Sequence, residues 1–482
     1  MYYYRPKSAL TKGACIILKH IFCILILSTS VQAKTFKFSV LTEPVSLQNT
    51  QKISFSQNYI FDQLHSSLFR LNSDYSLTPI LAKNCSQSKT QVKCVLKKNI
   101  FFSDGSPIYC QHFLKSFEYL IKNPNKNTER LSAIEGYNLA LKNKNLKHLK
   151  ATCDSNKTIS FKLTEPSSQF LQNFTDYSTA PHKKDSYSGP YKLKKWELGS
   201  FILLTKNDYS RLKPNVSHVK IYFINNPSVA LKMYEKQTLD LLTYLPTEKI
   251  SIYKGKQQLV QVPMDRFDYI GIEKLNPKSR ELITSSINYR GLQKLYNSKG
   301  MPGCPALSEK FFSPKAPPCL EYNPKSSSET TKLSLTYSLA GGSDISKGMQ
   351  FIKNQVEKHT NIKINLNPVE PGQFISSLKA PKTLMYRRGV SLQLPRCYEA
   401  VEIFHSNSSR NYSKLRDKKL DLLIEQLRFD EKLCYKTVKY LLNKNYIVPL
   451  GPIHFSMLLN PSFSHLKINS LNQMDLSQLE TN

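Results

Sequence analysis

The chain has 482 residues, too many for one hydrophobic core and enough for two or three domains. Hydrophobic residues make up 40% of it, which excludes a disordered chain. Lysine and arginine number 68 against 35 acidic residues, a formal charge of +33. These charges run along the whole length, which argues against a nucleic-acid-binding arm. They imply a generally basic surface that attracts acidic partners or membranes non-specifically, or compositional drift alone.

Residues 1–33 have the pattern of a cleaved secretory leader. Arg5, Lys7, Lys12 and Lys19 precede an apolar run from Ile21 to Leu27, and Val31-Gln32-Ala33 is a small-residue exit. The apolar run is short for a membrane span. Cys23 follows His20-Ile21-Phe22, which is not the setting of an acylated cysteine. Cleavage after Ala33 is expected, and it leaves about +29 on the mature chain.

Beyond the leader, Thr35 to Leu41 alternates Phe36, Phe38 and Val40 as a strand, closed by Thr42-Glu43-Pro44. From Ser56 to Leu71, Ile60, Phe61, Leu64, Leu68 and Phe69 form one stripe, which predicts a single amphipathic helix. Leu77 to Ala82 follows, then a hairpin flanked by Cys85 and Cys94. Lys97 to Phe117 reads as strand, turn and helix: Ser103-Asp104-Gly105-Ser106-Pro107 breaks the pattern, and Phe113, Phe117, Leu120 and Ile121 recur at helical spacing. Asp104, in a turn before glycine, has a structural rather than a catalytic setting.

Ile159 to Leu163 is another strand, and Ser188 to Tyr209 is a hairpin turning at Glu197-Leu198-Gly199-Ser200. Trp196, the one tryptophan, belongs to its first strand and is read as a packing residue. Strand, helix and strand at Val219–Ile224, Ser228–Tyr234 and Leu239–Leu242 predict a βαβ unit. A second such unit is predicted from Ser334–Tyr337, Ile345–Glu357 and Ile362–Leu366. Asn288 is placed to cap a helix, Leu420 to Leu427 is helical, and Ile447 to Gly451 is a closing strand.

Eight cysteines remain once Cys15 and Cys23 leave with the leader, an even number that suits an oxidising compartment. Spacing leaves about 105 pairings open. Local bridges Cys85–Cys94 and Cys304–Cys319 are favoured, and Cys110–Cys153 and Cys397–Cys434 are what remains. No C-x-x-C pair or histidine-rich segment supports zinc. No nucleophile elbow, metalloprotease, Walker or dinucleotide motif occurs, so neither an enzyme nor a cofactor is expected.

The FSDGSP passage followed by a helix resembles the signature of the oligopeptide-binding proteins of ABC importers, extracellular solute-binding protein family 5. Cys110, Gln111 and His112 stand where that family usually carries Ala, Glu and Asp. The L-x-P-x-L-A run at Leu77, the Gly189-Pro190-Tyr191 hairpin ending at Tyr209, Asn411-Tyr412-Ser413, and Asp421-Leu422-Leu423 extend the similarity over nearly all of residues 35–470.

The resemblance implies an α/β, two-lobed periplasmic binding protein-like fold with an extra domain, three domains in all, closing on a hinge. It divides the chain into domain I (34–55, 183–270 and 449–482), domain II (56–182) and domain III (271–448), with hinge crossings near Tyr269–Ile272 and Val448–Gly451. It implies a monomer in the periplasm that takes an oligopeptide or related small solute and serves an inner-membrane permease, with no nucleic-acid partner. An exported receptor or scaffold that keeps this fold without transport is the alternative.

One departure bears on the ligand. The family's G-W-x-x-D-Y-x-D-P passage, whose first Asp grips a peptide ammonium, corresponds here to Gly389 through Cys397. Gln393 then stands in place of the gripping Asp and Arg396 in place of the second, with Arg387 and Arg388 just upstream. These four residues are the candidate ligand contacts. They imply an anionic, N-blocked or acid-rich solute, because an amide and an arginine leave a buried ammonium uncompensated.

Overall fold

The computed structural model describes residues 35–50, 55–273, 275–296, 301–307, 309–312, 315–328, 330–339, 342–370, 372–380, 384–392, 394–428, 430–451 and 453–482. The leader expected over 1–33 and the candidate Gln393 lie outside them.

A seven-stranded sheet is built on β1 (Thr35–Val40), whose Phe36 and Phe38 are fully buried against helix α1 (Asn58–Leu64). Strands β10 (His218–Phe223) and β11 (Leu241–Leu242) flank β1, both parallel to it, and α4 (Pro227–Glu235) crosses between them. This is the first predicted βαβ unit, with β1 interposed. Asn226 caps α4 and Pro227 opens it, where a missing N–H costs nothing. The predicted hairpin, β8 (Tyr191–Glu197) and β9 (Phe201–Lys206), forms one edge. At the other edge lie β18 (Ile453–Leu459) and β12 (Leu259–Met264).

The second sheet has four strands in the order β4 (Ala82–Ser88), β5 (Gln91–Leu96), β7 (Thr158–Lys162) and β6 (Ala151–Ser155). It packs on α2 (Cys110–Lys122), beside α3 (Tyr137–Asn143), around Phe113, Phe117, Phe161, Phe170 and Phe174. Disulfides Cys85–Cys94 and Cys110–Cys153 close this lobe.

The third sheet runs β15 (Ile362–Val369), β14 (Thr331–Ser338), β16 (Met385–Ser391), β13 (Arg266–Ile272), β17 (Ile447–Pro449). Strands β14 and β15 are parallel and joined by α7 (Gly342–His359), the second predicted βαβ unit. Helices α5 (Pro277–Ser285) and α6 (Tyr289–Leu295) precede it. Asn288 caps α6 as expected, accepting the Gly291 N–H at 2.9 Å. Short helix α8 (Cys397–Val401) is bridged to α10 (Cys434–Asn443) by Cys397–Cys434, with α9 (Lys418–Leu427) packed on α10. Cys304–Cys319 is the fourth disulfide.

Two expectations fail locally. The helix expected over Ser56–Leu71 stops at Leu64, where His65 turns extended, and Phe69–Leu71 instead pairs with Leu77–Pro79 as β2 and β3. Leu68 and Phe69 are buried, so the apolar stripe was a true core signal carried by two kinds of backbone. The strand expected to enter Phe101-Phe102 forms no ladder beyond one bridge, Phe101 to Pro107, because Asn99 takes a left-handed conformation that breaks the extended run. The turn after it is as read: Gly105 has φ +82°, and Asp104 accepts from Ser106 N–H at 3.0 Å and Ser186 Oγ at 3.1 Å, and from Lys183.

The chain passes from the seven-stranded to the five-stranded sheet at Asp265, between β12 and β13. It returns between Pro449, the end of β17, and Ile453, the start of β18. The two passages run side by side, since Met264 pairs with Ile453 in one sheet and Tyr269 with Pro449 in the other.

Candidate ligand-binding cleft

Strand alternation sorts β13 and β16 onto two faces. Phe267, Tyr269 and Tyr386 join one core, while Ile270 and Met385 join the core that holds α7. On the α7 side of the same strands, near the passages between sheets, stand Arg266, Asp268 and Arg387. Asp268 is buried and accepts from Arg266 Nε at 2.8 Å and from Arg387 at 2.5 Å. Arg266 also donates to Ser391 Oγ at 3.2 Å. Gly389 is directly opposite Asp268 in the ladder, and a Cβ there would run into the Asp268 carboxylate and the Arg266 guanidinium. A glycine is thus required for this ion cluster to form.

Two donors in this corner are unused among the described residues: Arg387 Nε and the Tyr296 hydroxyl, both buried. The Tyr296 ring lies close against Gly348 of α7. Burial pushes its phenol up to about 12, with Arg387 nearby opposing the shift and Asp268 and Asp344 adding to it. Asp344, in the first turn of α7, also acts on Tyr244 of the other lobe, which follows β11; burial first, then Asp344 and Glu248, raise that phenol. These side chains mark a candidate cleft between α7 and the segment after β11.

The four sequence candidates do not gather in one place. Arg387 is in the cleft. Arg388, one residue on, necessarily points to the opposite face, where its guanidinium lies 4.6 Å from the centre of the Tyr412 ring. Arg396 sits just before α8 and donates to the Gln169 carbonyl at 2.8 Å, a contact to the four-stranded lobe, and burial lowers its pKa. Near it, burial raises Glu431 to about 7, although the Cys397 N–H opposes the shift. Arg266, Asp268, Tyr296 and Tyr244 were missed. The signal for Asp268 was present: it is a charged residue at an inward parity of the apolar strand Phe267–Ile272.

A cavity of about 690 Å³ lies outside this cleft, between α1, β2 and the C-terminal segment. It is lined by Asp62, His65, Tyr177 and Gln473, and crossed by the Arg70–Asp475 ion pair. Burial lowers His65 to about 4 and raises Asp62.

The model of the bacterial extracellular solute-binding proteins, family 5 Middle, matches residues 76–412. Nickel-binding protein NikA of Staphylococcus aureus is 22% identical over 385 residues, 75% of this chain and 76% of that protein. The probable D,D-dipeptide-binding periplasmic protein DdpA of Escherichia coli is 24% identical over 223 residues, 41% of this chain and 40% of that one. Among solved structures, Haemophilus influenzae OppA in complex with RPPGFSPFR superposes with a TM-score of 0.76 at 17% identity, covering 93% of this chain and 99% of that one. The Escherichia coli murein tripeptide binding protein MppA gives 0.75 at 16%, covering 93% and 99%. The α/β multi-domain binding-protein fold is common to all these structures, and the chain belongs to the bacterial extracellular solute-binding proteins of family 5.

Proposed function

We propose that the protein is exported and captures a peptide-class solute with an anionic or blocked end in the cleft between its lobes, then delivers it to an inner-membrane ABC permease as a monomer. The observation that carries this reading is the set of cleft donors. Asp268 is committed to two guanidiniums, while Arg387 Nε and the Tyr296 hydroxyl have no partner among the described residues. Guanidinium and phenol groups suit a carboxylate or carbonyl acceptor and oppose an ammonium or a bare metal cation. Four disulfides fit an oxidising compartment, and among the described residues no helix is long and apolar enough to cross a membrane.

The test is calorimetry with matched peptides, free or N-acetylated, neutral or acidic. The reading expects N-acetylated acidic peptides to bind best and Arg387→Ala to weaken them by at least tenfold, about 1.4 kcal/mol. A preference for free-amine neutral peptides that Arg387→Ala leaves unchanged would overturn it. Native mass spectrometry of the protein as isolated separates transport from a receptor or scaffold role, since a transporter is expected to carry copurified solute.

A further inference from the structure

The four-stranded lobe carries a run of exposed positive charge. From Gly136 to Cys153 the chain holds no acidic side chain, and Lys142, Lys144, Lys147 and Lys150 are all exposed. None of the four forms an ion pair among the described residues. The acids on either side are already taken, Glu135 by Lys162 at 2.8 Å and Asp154 by Lys93 at 3.0 Å.

This segment is a fixed knob rather than a loose loop. Gly136 has φ +85°, and its α-carbon lies so close to the His148 carbonyl that no side chain fits. Lys144 closes α3 in the left-handed region, Asn145 accepts the Lys147 N–H at 3.0 Å, and Asn143 bonds to His148 at 3.1 Å. Leu149 anchors the far side in the core. Leu139 is 49% exposed, three residues before Lys142 and therefore on the same helix face as that lysine.

We propose that this knob docks on an anionic phospholipid surface, with the lysines meeting headgroup phosphates and Leu139 entering the boundary below them. Charge alone would suit any polyanion, and the exposed leucine beside Lys142 is what favours a lipid surface. The inference is independent of what the cleft binds.

The experiment is vesicle co-sedimentation of protein purified from the exported fraction of cells. Vesicles of about 30 mol % phosphatidylglycerol in phosphatidylcholine are compared with phosphatidylcholine alone. Binding is expected to the anionic vesicles only, and to fall by at least tenfold at about 0.5 M salt. Replacing Lys142, Lys144, Lys147 and Lys150 by Glu should abolish it, and Leu139→Ser should weaken it severalfold. A control with Lys232, Lys236, Lys249 and Lys254 replaced by Glu should lose far less, with melting curves showing that each variant is folded. Equal loss in the control, binding indifferent to Leu139→Ser, or retention on a soluble anionic polysaccharide without vesicle binding would each overturn the proposal. Should the four-lysine variant fail to fold, the salt series and Leu139→Ser decide alone.

Discussion

Asp268 holds the cleft corner together, because its carboxylate is the shared partner of Arg266 and Arg387. Removing its charge leaves two guanidiniums facing each other with nothing between them. Arg387 is mostly buried, whereas Arg266 keeps 26% of its side chain exposed, so the penalty belongs at the low end of the range for buried pairs. Asp268→Ala should therefore destabilise the protein by about 3 kcal/mol, read by urea unfolding at neutral pH. His65 makes a prediction of a different kind. Its ring bonds to the Leu47 carbonyl at 2.9 Å, and burial lowers its pKa from 6.5 to about 4. The folded state then keeps the ring neutral where the unfolded chain takes up a proton. Stability from this group is intact above pH 6.5 and is lost as pH falls from there to about 4, by about 3 kcal/mol in all. Glu431, raised to about 7, acts in the opposite direction over the upper part of that window, so the measurement must be a difference. Subtracting the pH profile of His65→Gln from that of the parent should reveal the slope. Parallel profiles would contradict it.

At the scale of elements, the disulfides differ in the length of chain they close. Cys110–Cys153 spans 43 residues and Cys397–Cys434 spans 37, against 9 for Cys85–Cys94 and 15 for Cys304–Cys319. On chain entropy, replacing Cys110 and Cys153 by Ala should cost about 1 kcal/mol more than replacing Cys85 and Cys94. Paired-variant denaturation tests this, and the reverse order would show that native-state strain dominates. Both βαβ units were legible in the sequence, because periodicity and turn residues are local signals; of the disulfides only Cys85–Cys94 and Cys304–Cys319 had such a local signal, and the two longer pairings were left to elimination. The α1 region was read too long for the opposite reason. Leu68 and Phe69 continue the helical stripe, and only the pairing of Phe69–Leu71 with Leu77–Pro79 makes them a strand. The candidate site was half legible in the same sense. Arg387 was found as a basic residue near a motif, but its partner Asp268 lies 119 residues away, and only the β13–β16 register brings them together. Register across so long a separation leaves no local trace, which is also why Arg388 could not be separated from Arg387 in advance.

At the scale of the molecule, no disulfide opposes a turning of the lobes. Each disulfide lies within one region, two in the four-stranded lobe and two in the part of the chain around the five-stranded sheet, so none ties the lobes together. The two passages between sheets adjoin, which confines rotation to one axis. Asp265 at the first passage accepts from the Tyr75 hydroxyl at 2.6 Å and from Ser470 Oγ, and its carbonyl accepts the Leu392 N–H at 2.9 Å. Gly451 at the second has φ +83°, with the Met301 carbonyl oxygen 2.7 Å from where a Cβ would be, so Gly451→Ala should strain the hinge and reduce solute affinity without touching the candidate site. The central claim is that the lobes close on a solute gripped at Arg387. Small-angle scattering of solute-free protein titrated with an N-acetylated acidic peptide tests it most directly. The account predicts a fall in radius of gyration that saturates with binding and is absent in Arg387→Ala. No compaction on saturation, or the same compaction in Arg387→Ala, would contradict it.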